Sequence, residues 1–247
     1  MLYKASSLES CIVKATDGEL GKVKDLYFDS EKWVVRYLVI DTLKWLPGLQ
    51  VLVSPVSFDN VELADKRISI LATRLQIEKS PSIEEHRPLS RQMETDLHTY
   101  YGWTPYWIGE GLWGNGDRPT TSQTKPTENE LNEQERPFLR NVNELKGQWT
   151  GYTVNGLDQK IGNVVDFVFD DDSWAVHYLI VDTGDWLPGR KVMLPPEAIV
   201  SINWATKEIS TNLTSEDAKV EATERNSILH LDEISIDNLR RRSITNK

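Results

Sequence analysis

Short apolar runs broken by turn residues fill positions 21–58, which read GKVKDLYFDSEKWVVRYLVIDTLKWLPGLQVLVSPVSF. Leu26 and Phe28 alternate with Asp25, Tyr27 and Asp29, the period-two pattern of a strand with one face inward and the other wet. Phe167 and Phe169 stand against Asp166 and Asp170 in the same way. The next run, WVVRYLVID, is apolar on both faces apart from Arg36, and its twin WAVHYLIVD is interrupted only by His177. Such a strand is covered on both sides, so something packs on each face of the sheet it belongs to.

The pattern is written twice. Gly21 matches Gly162, and the same offset runs without a gap to Thr73 and Thr214, taking in the octapeptides DTLKWLPG and DTGDWLPG. Each copy is far longer than a solenoid repeat and occurs only twice, which predicts two tandem all-β domains.

A different period separates the copies. Leu89, Met93, Leu97, Tyr100 and Tyr101 recur every three or four residues, which predicts an amphipathic helix capped by Ser90, stopped by Gly102 and kept from continuing by Pro105. Residues 114–136 carry almost no large apolar side chain and read as a flexible polar linker. After the second copy, Thr214 and Asp217 have the spacing of a capping box before a short helix, and the chain ends in a basic tail. The predicted boundaries are 1–82 for the first domain, 83–113 for the helix and aromatic connector, 114–137 for the linker, and 138–247 for the second domain with its tail.

A net charge of -10 and a pI near 5.0 repel phosphate backbones, so broad nucleic-acid binding is not expected. Cys11 is the only cysteine, which removes an intramolecular disulfide and a cysteine-based zinc site. No segment approaches the length of apolar sequence that spans a bilayer, and the expected location is the cytoplasm.

Gly21, Val23, Asp25, Trp33, Val35, Tyr37, Leu38, Asp41, Pro55 and Phe58 form one set of markers. Gly162, Val164, Asp166, Trp174, Val176, Tyr178, Leu179, Asp182, Pro196 and Ile199 form its twin. Together they resemble the PRC-barrel family, and the whole chain resembles bacterial proteins with two such barrels. The resemblance implies two small, strongly bent antiparallel β-barrels joined by a short helical aromatic connector. It also implies a module that binds other macromolecules, as in the cytoplasmic part of the photosynthetic reaction-centre H subunit and the C-terminal domain of a ribosome-maturation factor. No catalytic motif comes with it. An RNA-associated or ribosome-assembly accessory, or a component of a photosynthetic or electron-transfer complex, is the alternative by family analogy.

The candidate residues are aromatic. Trp45 and Trp186 sit in the repeated turns and suit a contact between barrels, a homodimer contact or a partner surface. Tyr100, Tyr101, Trp103, Tyr106, Trp107 and Trp113 either cover one barrel or form a docking surface. Asp41 and Asp182 read as caps of their loops. The acidic 170–173 stretch reads as a polar hairpin tip, because it lacks the glycine and distal glutamate of a calcium loop. The four histidines have no metal-ligand spacing, and no phosphate-binding loop is present. The expected protein is therefore a non-enzymatic adaptor without metal or cofactor, acting through a protein partner.

Overall fold

The computed structural model describes residues 1–42, 46, 50–63, 65–81, 89–120, 139–146, 151–184 and 191–220. The expectations for Trp45, Trp186 and the basic tail lie outside the described residues. The chain divides into two compact units, each built on a seven-stranded sheet.

The first unit comprises Ser7–Asn141 and Asp172–Ala175. Its strands are β2 (Ile12–Ala15), β3 (Gly18–Asp29), β4 (Val34–Asp41), β5 (Gln50–Val53), β6 (Phe58–Glu62), β7 (Arg67–Ile70) and β8 (Leu139–Asn141). They run in the order β5-β4-β3-β2-β7-β6, with β8 beside β3, and the first two helices of the chain are α1 (Ala5–Leu8) and α2 (Arg74–Glu78). Leu26, Leu38 and Val53 stand side by side across three strands, and Val23, Ile40 and Val51 do the same one step along. All six are buried.

The second unit comprises Met1–Ser6, Val142–Asp171 and Val176–Lys247. Its strands are β1 (Leu2–Lys4), β9 (Thr153–Asn155), β10 (Lys160–Asp170), β11 (Val176–Asp182), β12 (Lys191–Leu194), β13 (Ile199–Asn203) and β14 (Glu208–Thr211). The order β12-β11-β10-β9-β14-β13, with β1 beside β10, repeats that of the first unit. Phe167, Leu179 and Leu194 form the matching inward row.

The duplication extends to irregularities. The register slips between Val23 and Asp25 and between Tyr27 and Phe28, and at the matching positions between Val164 and Asp166 and between Val168 and Phe169. These bulges bend the long strands sharply. A Cβ on Gly21 would lie 2.0 Å from the Asp41 carbonyl oxygen, and one on Gly162 would lie 2.0 Å from that of Asp182. The two glycines recur because adjacent backbones approach too closely for any side chain. Trp33 and Trp174 both take left-handed φ, 54° and 60°, in the turn after the long strand.

Four expectations need correction. The barrels are not purely antiparallel, since β2 pairs parallel with β7 and β9 parallel with β14. Alternation specifies which face a side chain takes, but not the direction of the neighbouring strand. The boundaries also differ: Leu2–Lys4 belong to the sheet of the second unit, and Leu139–Asn141 to that of the first, so strands near the start of each half complete the other half's sheet. Residues 114–118, expected in the linker, are held in place, since the Trp113 amide donates to the Gly116 carbonyl and Arg118 pairs with Asp172 at 2.7 Å; residues 121–137 of the expected linker lie outside the described residues. Finally, the face of β3 predicted to be wet is covered, with Asp25, Tyr27 and Asp29 all buried. β8 pairs with Tyr27 and Asp29, while the carboxylates turn back onto nearby amides, Asp25 accepting from Leu26 and Asp29 from Glu31 and Lys32.

Candidate functional site

Arg36 interrupts the otherwise apolar β4, yet its side chain is 0% exposed. Its Nη2 donates to Asp29 at 2.9 Å and its Nη1 to the Leu112 carbonyl at 2.5 Å. The guanidinium lies 3.8 Å from the Tyr106 ring centroid and 4.8 Å from that of Trp113. A weakly hydrated planar cation tolerates this burial because a carboxylate neutralises it while aromatic faces replace water.

The cover comes from the connector. Its helix, α3 (Arg91–Tyr101), starts at Ser90, whose hydroxyl accepts from the Met93 amide, and ends at Gly102 in the left-handed conformation. Both caps are those the sequence predicts. Beyond it, Gly109 and Gly114 pack too closely for side chains, so the turn folds back tightly. Lys32 donates to the Gly111 carbonyl at 2.8 Å. The Trp113 indole donates to the Ser173 carbonyl at 2.7 Å.

The buried stripe of α3 is not the predicted one. Leu97 is buried, but Met93 is only half-buried and Tyr100 is 40% exposed, whereas Glu94 and His98 are fully covered. Glu94 takes the Tyr106 hydroxyl on Oε2 in a very short hydrogen bond and Arg91 on Oε1 at 3.2 Å. The Tyr37 hydroxyl lies 3.2 Å from Glu94 Oε2 and 2.8 Å from His98 Nε2, while His98 Nδ1 faces the Thr104 carbonyl at 3.2 Å. Tyr37 on β4, with Tyr106, Arg91 and Thr104 of the connector, gives these polar groups the hydrogen bonds that burial requires.

Burial sets the protonation of this cluster. Loss of solvent pushes the Glu94 carboxyl up to about 7, against the opposing pull of Arg91 and the two tyrosine hydroxyls. It pushes the His98 imidazole down to about 3, with Arg36 and Arg91 adding to the effect. Tyr37 and Tyr106 rise well above the ordinary phenol value for the same reason and remain neutral.

Of the aromatic candidates, Trp103, Tyr106 and Trp113 are buried within the first unit. Tyr101 and Trp107 are half-buried, Tyr101 stacking on Trp103 with centroids 4.4 Å apart and Trp107 lying against His98 at 4.8 Å. Arg91 lies 4.3 Å from the Trp107 ring. Tyr100 alone of the six turns outward, and its hydroxyl donates to the Gln76 carbonyl at 2.7 Å. Arg36, Glu94, Arg91 and His98 were missed as a group. The one available signal was a cation placed in the middle of an apolar strand.

The matching position in the second unit has milder chemistry. His177 replaces Arg36 and lies 2.9 Å from Asp170, with its side chain 35% exposed. Asp182 caps its loop as predicted, accepting from the Gly184 amide at 2.9 Å. Among the described residues no group of three histidine, cysteine or acidic side chains is placed to hold a metal ion. No helix among them is long and apolar enough to cross a membrane.

The PRC-barrel domain matches residues 2–77 and 149–209. No curated protein matches the chain.

Proposed function

The chain belongs to the PRC-barrel family in both halves, and from that premise we propose that it is a non-enzymatic adaptor that docks a protein partner in the cytoplasm. The observation that carries this reading is the exposure of two leucines at and just before α2 (Arg74–Glu78) in the first unit. Leu71 and Leu75 are 61% and 56% exposed, and the Tyr100 hydroxyl reaches the carbonyl of Gln76 beside them. Large apolar side chains left in the open favour contact with another macromolecule over water.

Support for the aromatic connector as the docking patch is weaker, because three of its six rings are buried against their own unit and two more are half-buried. The acidic net charge gives the RNA-associated alternative little support. Affinity capture with the wild type and a Leu71→Ser, Leu75→Ser double variant tests the reading. A folded double variant that loses the wild type's partners supports it. One that retains every partner, or partners consisting of ribosomal particles, overturns it.

A further inference from the structure

Glu94 and His98 share one face of α3 and meet the same hydroxyl, that of Tyr37. Because a carbonyl oxygen only accepts, the contact of His98 Nδ1 with Thr104 places a proton on Nδ1. In a neutral ring Nε2 is then an acceptor, and the shorter of Tyr37's two contacts ends on it. Tyr37 has a single proton, so its oxygen is left to accept from Glu94. The chain of donors closes when Glu94 is a carboxylic acid.

We infer that packing of the connector onto β4 moves one proton from His98 to Glu94, leaving two neutral groups and no net proton uptake in mildly acidic solution. An N–H bond at Nε2 of the imidazolium is exchanged for an O–H bond on the Glu94 carboxyl, and nothing else changes. Burial drives the protonation of Glu94 against the pull of Arg91 and Arg36, and the same two cations favour the loss of the proton from His98. Arg36 from β4 is already neutralised by Asp29 from β3, and Arg91 from α3 stands close by, so a third cation at His98 is opposed. Tyr37 from β4 and Tyr106 from the connector supply neutral hydroxyls.

Proton linkage makes the consequence measurable. His98, depressed from 6.5 to about 3, contributes stability that is present above 6.5 and lost as pH falls. Glu94, raised from 4.5 to about 7, contributes stability that is present below 4.5 and lost as pH rises through 7. Between 4.5 and 6.5 the two slopes are opposite and cancel. The pair thus keeps the connector seated at a constant strength across a range in which either residue alone would make it pH-sensitive.

Nitrogen and carbon NMR of the full chain midway through that range tests the inference. His98 is expected as a neutral ring protonated on Nδ1, and Glu94 as a carboxylic acid. An imidazolium facing a carboxylate overturns the inference. The Glu94→Gln variant keeps a donor toward Tyr37 but cannot titrate. Once corrected for intrinsic rates, its amide-exchange protection in α3 is expected to fall about tenfold per pH unit below 6.5, while the wild type stays flat. A variant as flat as the wild type overturns the inference. Should the variant fail to fold, the wild-type spectra decide alone.

Discussion

Arg36 and Asp29 meet at 2.9 Å with side chains 0% and 7% exposed, and this buried pair joins the β3–β4 hairpin to the connector above it. Replacing Arg36 with Met removes the cation and leaves the carboxylate held only by the Glu31 and Lys32 amides. The cost is expected at about 3 kcal/mol, the lower end for breaking a buried ion pair. Urea unfolding measures it, and adding Asp29→Asn should recover part of the loss. No recovery would mean that the two groups act independently.

Gly21→Ala and Gly162→Ala each drive a methyl group into a facing carbonyl. Each should destabilise by about 3 kcal/mol, the upper range for overpacking. The losses should be separate: amide exchange should rise in β3 and β4 for Gly21→Ala, and in β10 and β11 for Gly162→Ala. A variant of either glycine that leaves exchange unchanged contradicts the close approach.

The crossed strands make an unusual forecast. Tyr3 lies in the first residues of the chain, yet it pairs with Phe169. Tyr3→Pro should therefore raise amide exchange in β10, and Arg140→Pro should raise it in β3, by about tenfold or more for the lost ladder bond and its neighbours. The opposite assignment, Tyr3→Pro loosening β3, would refute the exchange.

Acid should loosen the start of the helix over residues 215–220 first. Asp158 accepts from the Ser215 amide and hydroxyl, and Asp217 from Thr214, and these bonds hold both carboxyls below their ordinary range. A depressed carboxyl contributes stability that is present above 3.8 and lost as pH falls. The Ser215 amide signal should therefore shift as the carboxyls protonate below 3.8, and Asp158→Asn should remove that step.

Much of the architecture was legible because its causes are local. Ser90 and Gly102 mark the ends of α3 through cap chemistry, and Thr214 with Asp217 forms the expected reciprocal cap. The burial of Leu26 on β3 follows from alternation, and the cover on both faces of β4 from its continuous apolar run. The inside face of α3 was harder, because Met93 and Tyr100 scored as apolar while Glu94 and His98 scored as wet. Only knowledge of what lies on β4 reverses that order.

The sequence by itself determined the duplication, which is a match of the chain to itself, and the all-β character, the positions of the caps and the need for a cover over β4, which depend on residues close together in the chain. Tertiary structure decided which strand completes which sheet and which polar groups are buried. Three-residue strands such as Leu2–Lys4 carry too little pattern to name a partner. The cost of burying Arg36, Glu94 and His98 depends on hydrogen-bond partners that come together only when distant segments pack.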